Sequence, residues 1–169
     1  MLDAEPGAYL YCGLSRASSK EEIEERIKNN TITEILNKIE VKKGDVVMVK
    51  AGTIHAIGAG IFICEIQQNS NCTYRMYDYD RRDKFGNPRE LHIAKSLDVV
   101  NPVKYEKDNK CNVMLAHNEH YMSKRLVQCK YFEVIKYEIE DEAKIPVDEA
   151  SFLSVIVIDG EGSKVICKD

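Results

Sequence analysis

The sequence lacks several features that would direct its reading elsewhere. It has no run approaching 18 apolar residues, so no stretch is long enough for a spanning helix. It has no basic excess: 24 Lys and Arg stand against 28 Asp and Glu, a net charge of −4. No positive field is available to follow a phosphate backbone, so nucleic acid is not an expected partner, and neither is a membrane. The opening Met1-Leu2-Asp3-Ala4-Glu5-Pro6-Gly7 has neither a basic stretch nor an apolar one, and does not read as a secretory signal. No two of the six cysteines form a C-x-x-C pair. Cys64 and Cys129 lie in apolar strand-like runs, so free thiols in a reducing, cytoplasmic setting are expected rather than a disulfide framework.

What is present is globular. Hydrophobic residues make up 44% and charged residues 31% of 169 positions. That length suits one domain, or one with part of a second. Near the start, Tyr9-Leu10-Tyr11-Cys12-Gly13 reads as a short strand ending at glycine. Ser19-Lys20-Glu21-Glu22 and Thr31-Ile32-Thr33-Glu34 both have the form of a capping box. Ile23 and Ile27 follow the first; Ile32, Ile35, Leu36 and Ile39 accompany the second at helical spacing. Two short helices are therefore expected over residues 19–39.

Beyond residue 40 the pattern becomes β-rich. Val46-Val47-Met48-Val49, Ile61-Phe62-Ile63-Cys64-Glu65-Ile66 and Thr73-Tyr74-Arg75-Met76-Tyr77 are short strand candidates separated by turn residues. Residues 91–100 could add another. Residues 101–110 are polar, contain Pro102 and read as a linker. A second strand set is expected at 126–127, 131–140 and 152–159. The last of these has no evident neighbour, and an unpaired edge invites association.

Two segments carry candidate chemistry. In Lys50-Ala51-Gly52-Thr53-Ile54-His55-Ala56 a glycine turn presents one histidine, and imidazole is a common metal ligand. In the run from Glu65 to Arg81, strand alternation would put Arg75, Tyr77 and Tyr79 on one face. An arginine beside tyrosines suits a phosphate or an anionic transition state. Other groups read more simply. His117-Asn118-Glu119-His120 falls in a polar connecting stretch, and His92 is expected to face solvent or pack beside Glu90. The run Asp80-Arg81-Arg82-Asp83-Lys84 reads as a solvated loop, and Tyr131 and Tyr137 as core or interface.

Taken in order, these segments resemble the type I mannose-6-phosphate isomerases in their short bacterial form. The resemblance rests on Gly44-Asp45, Ala51-Gly52-Thr53-Ile54-His55-Ala56, Glu65-x-Gln67-Gln68-Asn69-Ser70, Thr73-Tyr74-Arg75-x-Tyr77-Asp78-Tyr79-Asp80-Arg81 and Pro88-Arg89-Glu90-Leu91-His92-Ile93-Ala94-Lys95. Leu2-Asp3-Ala4-Glu5-Pro6-Gly7 and Gln128-Cys129-x-Tyr131-Phe132 extend it. It implies a mainly β fold: a cupin-type β-barrel or jelly roll with a short helical insert, plus part of a second β-domain. Residues 1–105 would form part of the first domain and 106–169 the linker and start of the second.

The same resemblance implies zinc-dependent interconversion of mannose 6-phosphate and fructose 6-phosphate. It assigns His55 as a zinc ligand, Arg75 as the catalytic arginine and Glu65 as a pocket carboxylate for hydrogen bonding or proton transfer. Lys50 stands where the family has proline, which would leave the turn before His55 less rigid. The family's remaining zinc ligands lie before Leu2-Asp3-Ala4, so the chain reads as truncated at both ends. The alternative is a non-catalytic cupin module that binds a sugar phosphate or a partner chain. A purely structural β-module would be favoured if His55 and Arg75 point apart.

Overall fold

Strand β2 (Tyr9–Leu14) is the centre of the first half of the molecule, with β3 (Leu36–Glu40) and β4 (His55–Ile57) antiparallel on either side. The computed structural model describes residues 1–70, 72–108, 111–161 and 164–166. Strict alternation along β2 would put Leu10, Cys12 and Leu14 on one face. The register instead shifts between Tyr11 and Leu14, and Gly13 adopts φ +71° there. This bulge turns Leu14 over. Leu10 and Cys12 then pack with Val41 and Ile61 on one side, while Leu14 joins Ile23, Ile27, Ile32 and Met76 on the other. On the first side lies a two-stranded sheet of β1 (Asp3–Ala4) and β5 (Ile61–Phe62).

Helix α1 (Lys20–Lys28) forms where its capping box predicts. Ser19 Oγ accepts from the Glu22 N–H at 3.1 Å, and Ile23 and Ile27 are buried. The second expected helix does not form. Residues Ile32–Ile35 make one 3₁₀ turn, the Thr31 side chain caps nothing, and Leu36–Glu40 becomes β3. Ladder pairing with β2 explains this. Leu36 and Ile39 reach opposite cores as strand residues, in register with Leu14 and Leu10. Tertiary pairing outweighs a weak local helical preference.

Other strand expectations are corrected too. Residues 46–49 and 73–77 lie in no ladder among the described residues, and the run at 61–66 pairs only as Ile61–Phe62, since β1 offers two residues. Residues 91–100 hold a helix, α2 (Ile93–Val99). Its Ile93 and Leu97, one turn apart, meet the same core as α1. The start of the expected linker is tied down: Tyr105 N–H donates to the Leu14 carbonyl at 2.8 Å, and Lys104 bridges Leu14.

The second strand set is a three-stranded antiparallel meander of β6 (Val113–His117), β7 (Tyr121–Gln128) and β8 (Glu133–Ile139). His117 ends β6 rather than lying in a connecting stretch, whereas His120 sits in the exposed turn that connects β6 to β7. Asn118 Oδ1 closes that turn by accepting from the N–H groups of His120 and Tyr121. Residues 152–159 join no strand, and Phe152 is 87% exposed. The molecule is thus mainly β with a short helical insert. Among the described residues no helix is long and apolar enough to cross a membrane.

Candidate functional site

His55 opens β4, directly after a tight turn at residues 50–53. The Thr53 N–H donates to the Lys50 carbonyl at 3.1 Å, and Gly52 has φ +79°. A Cβ at Gly52 would lie 2.6 Å from the Val99 carbonyl oxygen, so α2 closes against this turn. The turn is therefore braced even with Lys50 in place of proline. Asn101 N–H adds a bond to the Gly52 carbonyl at 2.8 Å. His55 pairs with Cys12 across the ladder and so shares the sheet face of Cys12 and Leu10. Its ring is exposed, and Nδ1 lies 3.1 Å from the Thr53 carbonyl oxygen. A carbonyl can only accept, so Nδ1 carries the proton and Nε2 keeps its lone pair.

Arg75 belongs to a segment with no ladder partner among the described residues, yet its backbone is held on both sides. Its N–H donates to His92 Nδ1 at 3.2 Å, and its carbonyl accepts from the His92 N–H at 2.6 Å. Its Nη1 donates to the Glu90 carbonyl at 3.4 Å. Met76 beside it is buried in the core under α1, and Tyr77 packs against that core. His92 Nε2 does lie 3.9 Å from the Glu90 carboxylate, but the ring's closer partner is Arg75.

Glu65 is exposed and lies outside the strands. Among the described residues no hydrogen bond or ion pair joins His55, Glu65 and Arg75 to one another. His55 shares the Cys12 face of β2, and Met76 and Tyr77, which follow Arg75, pack with Leu14 on the other core. No group of three or more His, Cys, Asp or Glu stands together among the described residues. His117 is exposed, and His120 pairs with the Asp141 carboxylate at 3.0 Å. The Glu142 N–H first, and His120 second, hold the Asp141 carboxyl below its usual range.

Two features escape reasoning from sequence. A hollow of about 190 Å³ is lined by Tyr9, Tyr11, Ile57, Gly58, Tyr79 and Arg81. The Tyr9 and Tyr11 rings meet edge to face at 5.5 Å, and the Arg81 guanidinium lies 5.1 Å from the Tyr79 ring centre. Burial is the main reason that Tyr11 and Tyr79 ionise above the usual phenol range. In the sequence Arg81 reads as part of a solvated loop; the alternation Tyr77-x-Tyr79-x-Arg81 is the available signal. The second feature is Asp78. Its Oδ1 is 3.6 Å from Arg89, while Oδ2 is buried with no hydrogen-bond partner among the described residues.

No family model matches the chain. It is 37% identical over 165 residues to the mannose-6-phosphate isomerase ManA of Bacillus subtilis, covering 98% of this chain and 51% of that protein. It is 39% identical over 162 residues to the mannose-6-phosphate isomerase of Streptococcus mutans, covering 96% and 50%. The crystal structure of the mannose 6-phosphate isomerase from Bacillus subtilis matches it with a TM-score of 0.74 at 35% identity, over 83% of this chain and 44% of that one. The chain spans about half the length of the curated relatives it matches.

Proposed function

We propose that this chain carries part of a mannose-6-phosphate isomerase, an aldose–ketose isomerase that interconverts mannose 6-phosphate and fructose 6-phosphate. The observation that carries the reading is 37% identity sustained over 98% of the chain to a protein of that name. Under this reading the chain divides near residue 105 into a first cupin-type domain and the start of a second. Its small-molecule partner is a hexose 6-phosphate.

The reaction moves a proton between C1 and C2 and builds negative charge on an enediol-like oxygen. Arg75 would supply fixed positive charge, either to that oxygen or to the substrate phosphate. Its backbone is held, so the guanidinium starts from a defined root. Glu65, exposed and outside the strands, is the candidate carboxylate for proton transfer.

Zinc is the metal of this reading, and His55 would be one ligand. Its Nδ1 proton is engaged by a backbone carbonyl and Nε2 is left as donor, which is the usual arrangement of a metal-bound imidazole. A catalytic zinc takes about three protein ligands. The described residues offer no cluster of that size, so they do not fit a complete zinc centre. The same shortfall favours a second reading, a module that binds a sugar phosphate without isomerising it.

Turnover of mannose 6-phosphate with and without added zinc, in the wild-type chain, His55→Ala and Arg75→Ala, separates the two. The isomerase reading expects turnover that falls about 100-fold or more in Arg75→Ala. Turnover that Arg75→Ala leaves unchanged overturns the assignment of Arg75, and a folded wild-type chain without turnover shows that this part does not isomerise alone. Calorimetric binding of mannose 6-phosphate that Arg75→Ala weakens would then support the binding module, and no binding would sink both.

A further inference from the structure

We infer that His92 is a positioning residue for Arg75: it fixes the arginine's backbone from both sides and so aims the guanidinium. The inference rests on the reading of Arg75 as the catalytic arginine. Four observations lead to it. The segment carrying Arg75 has no ladder partner among the described residues, so sheet pairing does not hold it. In place of a neighbouring strand stands one residue. The His92 N–H donates to the Arg75 carbonyl at 2.6 Å and its Nδ1 accepts from the Arg75 N–H at 3.2 Å.

The ring has been diverted to this task. His92 is the N-cap residue of α2, where a side chain usually accepts from its own helix, yet its ring makes no capping bond. Because Nδ1 accepts, the neutral ring carries its proton on Nε2, towards the Glu90 carboxylate 3.9 Å away. The anchor itself is firm. Ile93 and Leu97 of α2 pack on the core, and Val100 beyond the helix end is buried there. Residues 90–92 thus make three contacts with Arg75, two to its backbone and one to its guanidinium. Electrostatic catalysis depends on such preorganisation, since a charge displaced by about 1 Å loses much of its effect.

The test uses His92→Leu, which removes the acceptor, and His92→Asn, which restores an oxygen acceptor near the Nδ1 position. Two readouts are taken: kcat and KM for mannose 6-phosphate, and hydrogen exchange of the Arg75 amide by NMR. The expected result is a fall in kcat of about 10-fold or more in His92→Leu, with faster Arg75 amide exchange. Both should recover largely in His92→Asn, with the two variants melting alike. Unchanged Arg75 exchange in His92→Leu overturns the inference, as does a loss of kcat that tracks only the folded fraction in both variants. If the wild-type chain shows no turnover, the amide exchange alone decides the His92–Arg75 link.

Discussion

At Gly13 the backbone takes φ +71° near the end of β2, the strand that pairs with both β3 and β4. Two constraints meet there. A side chain would be strained by the left-handed conformation, and its Cβ would lie 2.6 Å from the Cβ of Tyr105. Tyr105 is held in turn: its N–H donates to the Leu14 carbonyl at 2.8 Å, and its ring packs on the Leu10, Cys12 and Val41 core. Gly13→Ala should therefore cost about 2–5 kcal/mol, the sum of a positive-φ penalty and an overpacked contact. Urea unfolding of the wild type and the variant checks this; an unchanged midpoint would mean that the bulge tolerates a methyl group. In the sequence this glycine reads only as a strand end. The reversal of Leu14 that it enables is not legible there, because alternation carries no mark of a bulge. His92 is hidden for a similar reason. Its partner lies seventeen positions away, and its helix reads as a strand.

Among the elements, α1 is the most legible, since cap, periodicity and charge bias agree within nine residues. The segments 36–40 and 91–100 mislead in opposite directions. Their apolar spacing fits either period over so few residues, and only the partner decides. Helix α1 also carries the clearest electrostatic prediction. Glu22 pairs with Arg16 and with Arg26, and Arg26 pairs with Glu34. Arg16 first, and Arg26 second, bring the Glu22 carboxyl down to about 2. A carboxyl lowered on folding stabilises the folded state above its unfolded value of 4.5 and loses that effect as pH falls towards about 2. The pairs are on the surface, so the effect is small and salt-sensitive. Glu22→Gln should be slightly less stable than wild type near neutral pH and should lose stability less steeply between pH 4.5 and about 2. Parallel acid limbs for the two proteins in low salt would remove Glu22 from the account.

At the scale of the whole molecule the unpaired β surface dominates, and composition alone gives good warning of it. Phe152-Leu153-Ser154-Val155-Ile156-Val157-Ile158 contains no charge, glycine or proline. Val155, Ile156, Val157 and Ile158 are each at least 50% exposed, and the segment joins no strand. Such a run has the composition of a self-pairing strand. The β6-β7-β8 sheet offers two edges that differ in charge. On β8, Glu133, Lys136 and Glu138 guard the edge, as charges commonly do. On β6, Val113, Met114 and Leu115 are uncharged and 41%, 48% and 42% exposed, which leaves apolar side chains open on both faces of the strand. Copies of the chain should therefore associate by adding residues 152–158 of one to the β6 edge of another. Sedimentation velocity across a concentration series should show the monomer giving way to larger species. Met114→Lys and Val157→Lys should each restore the monomer, whereas Lys136→Gln on the β8 edge should leave association unchanged. A wild-type chain that stays monomeric throughout would show that this surface is covered within the chain. Association that survives Met114→Lys and strengthens in Lys136→Gln would move the contact to the opposite edge.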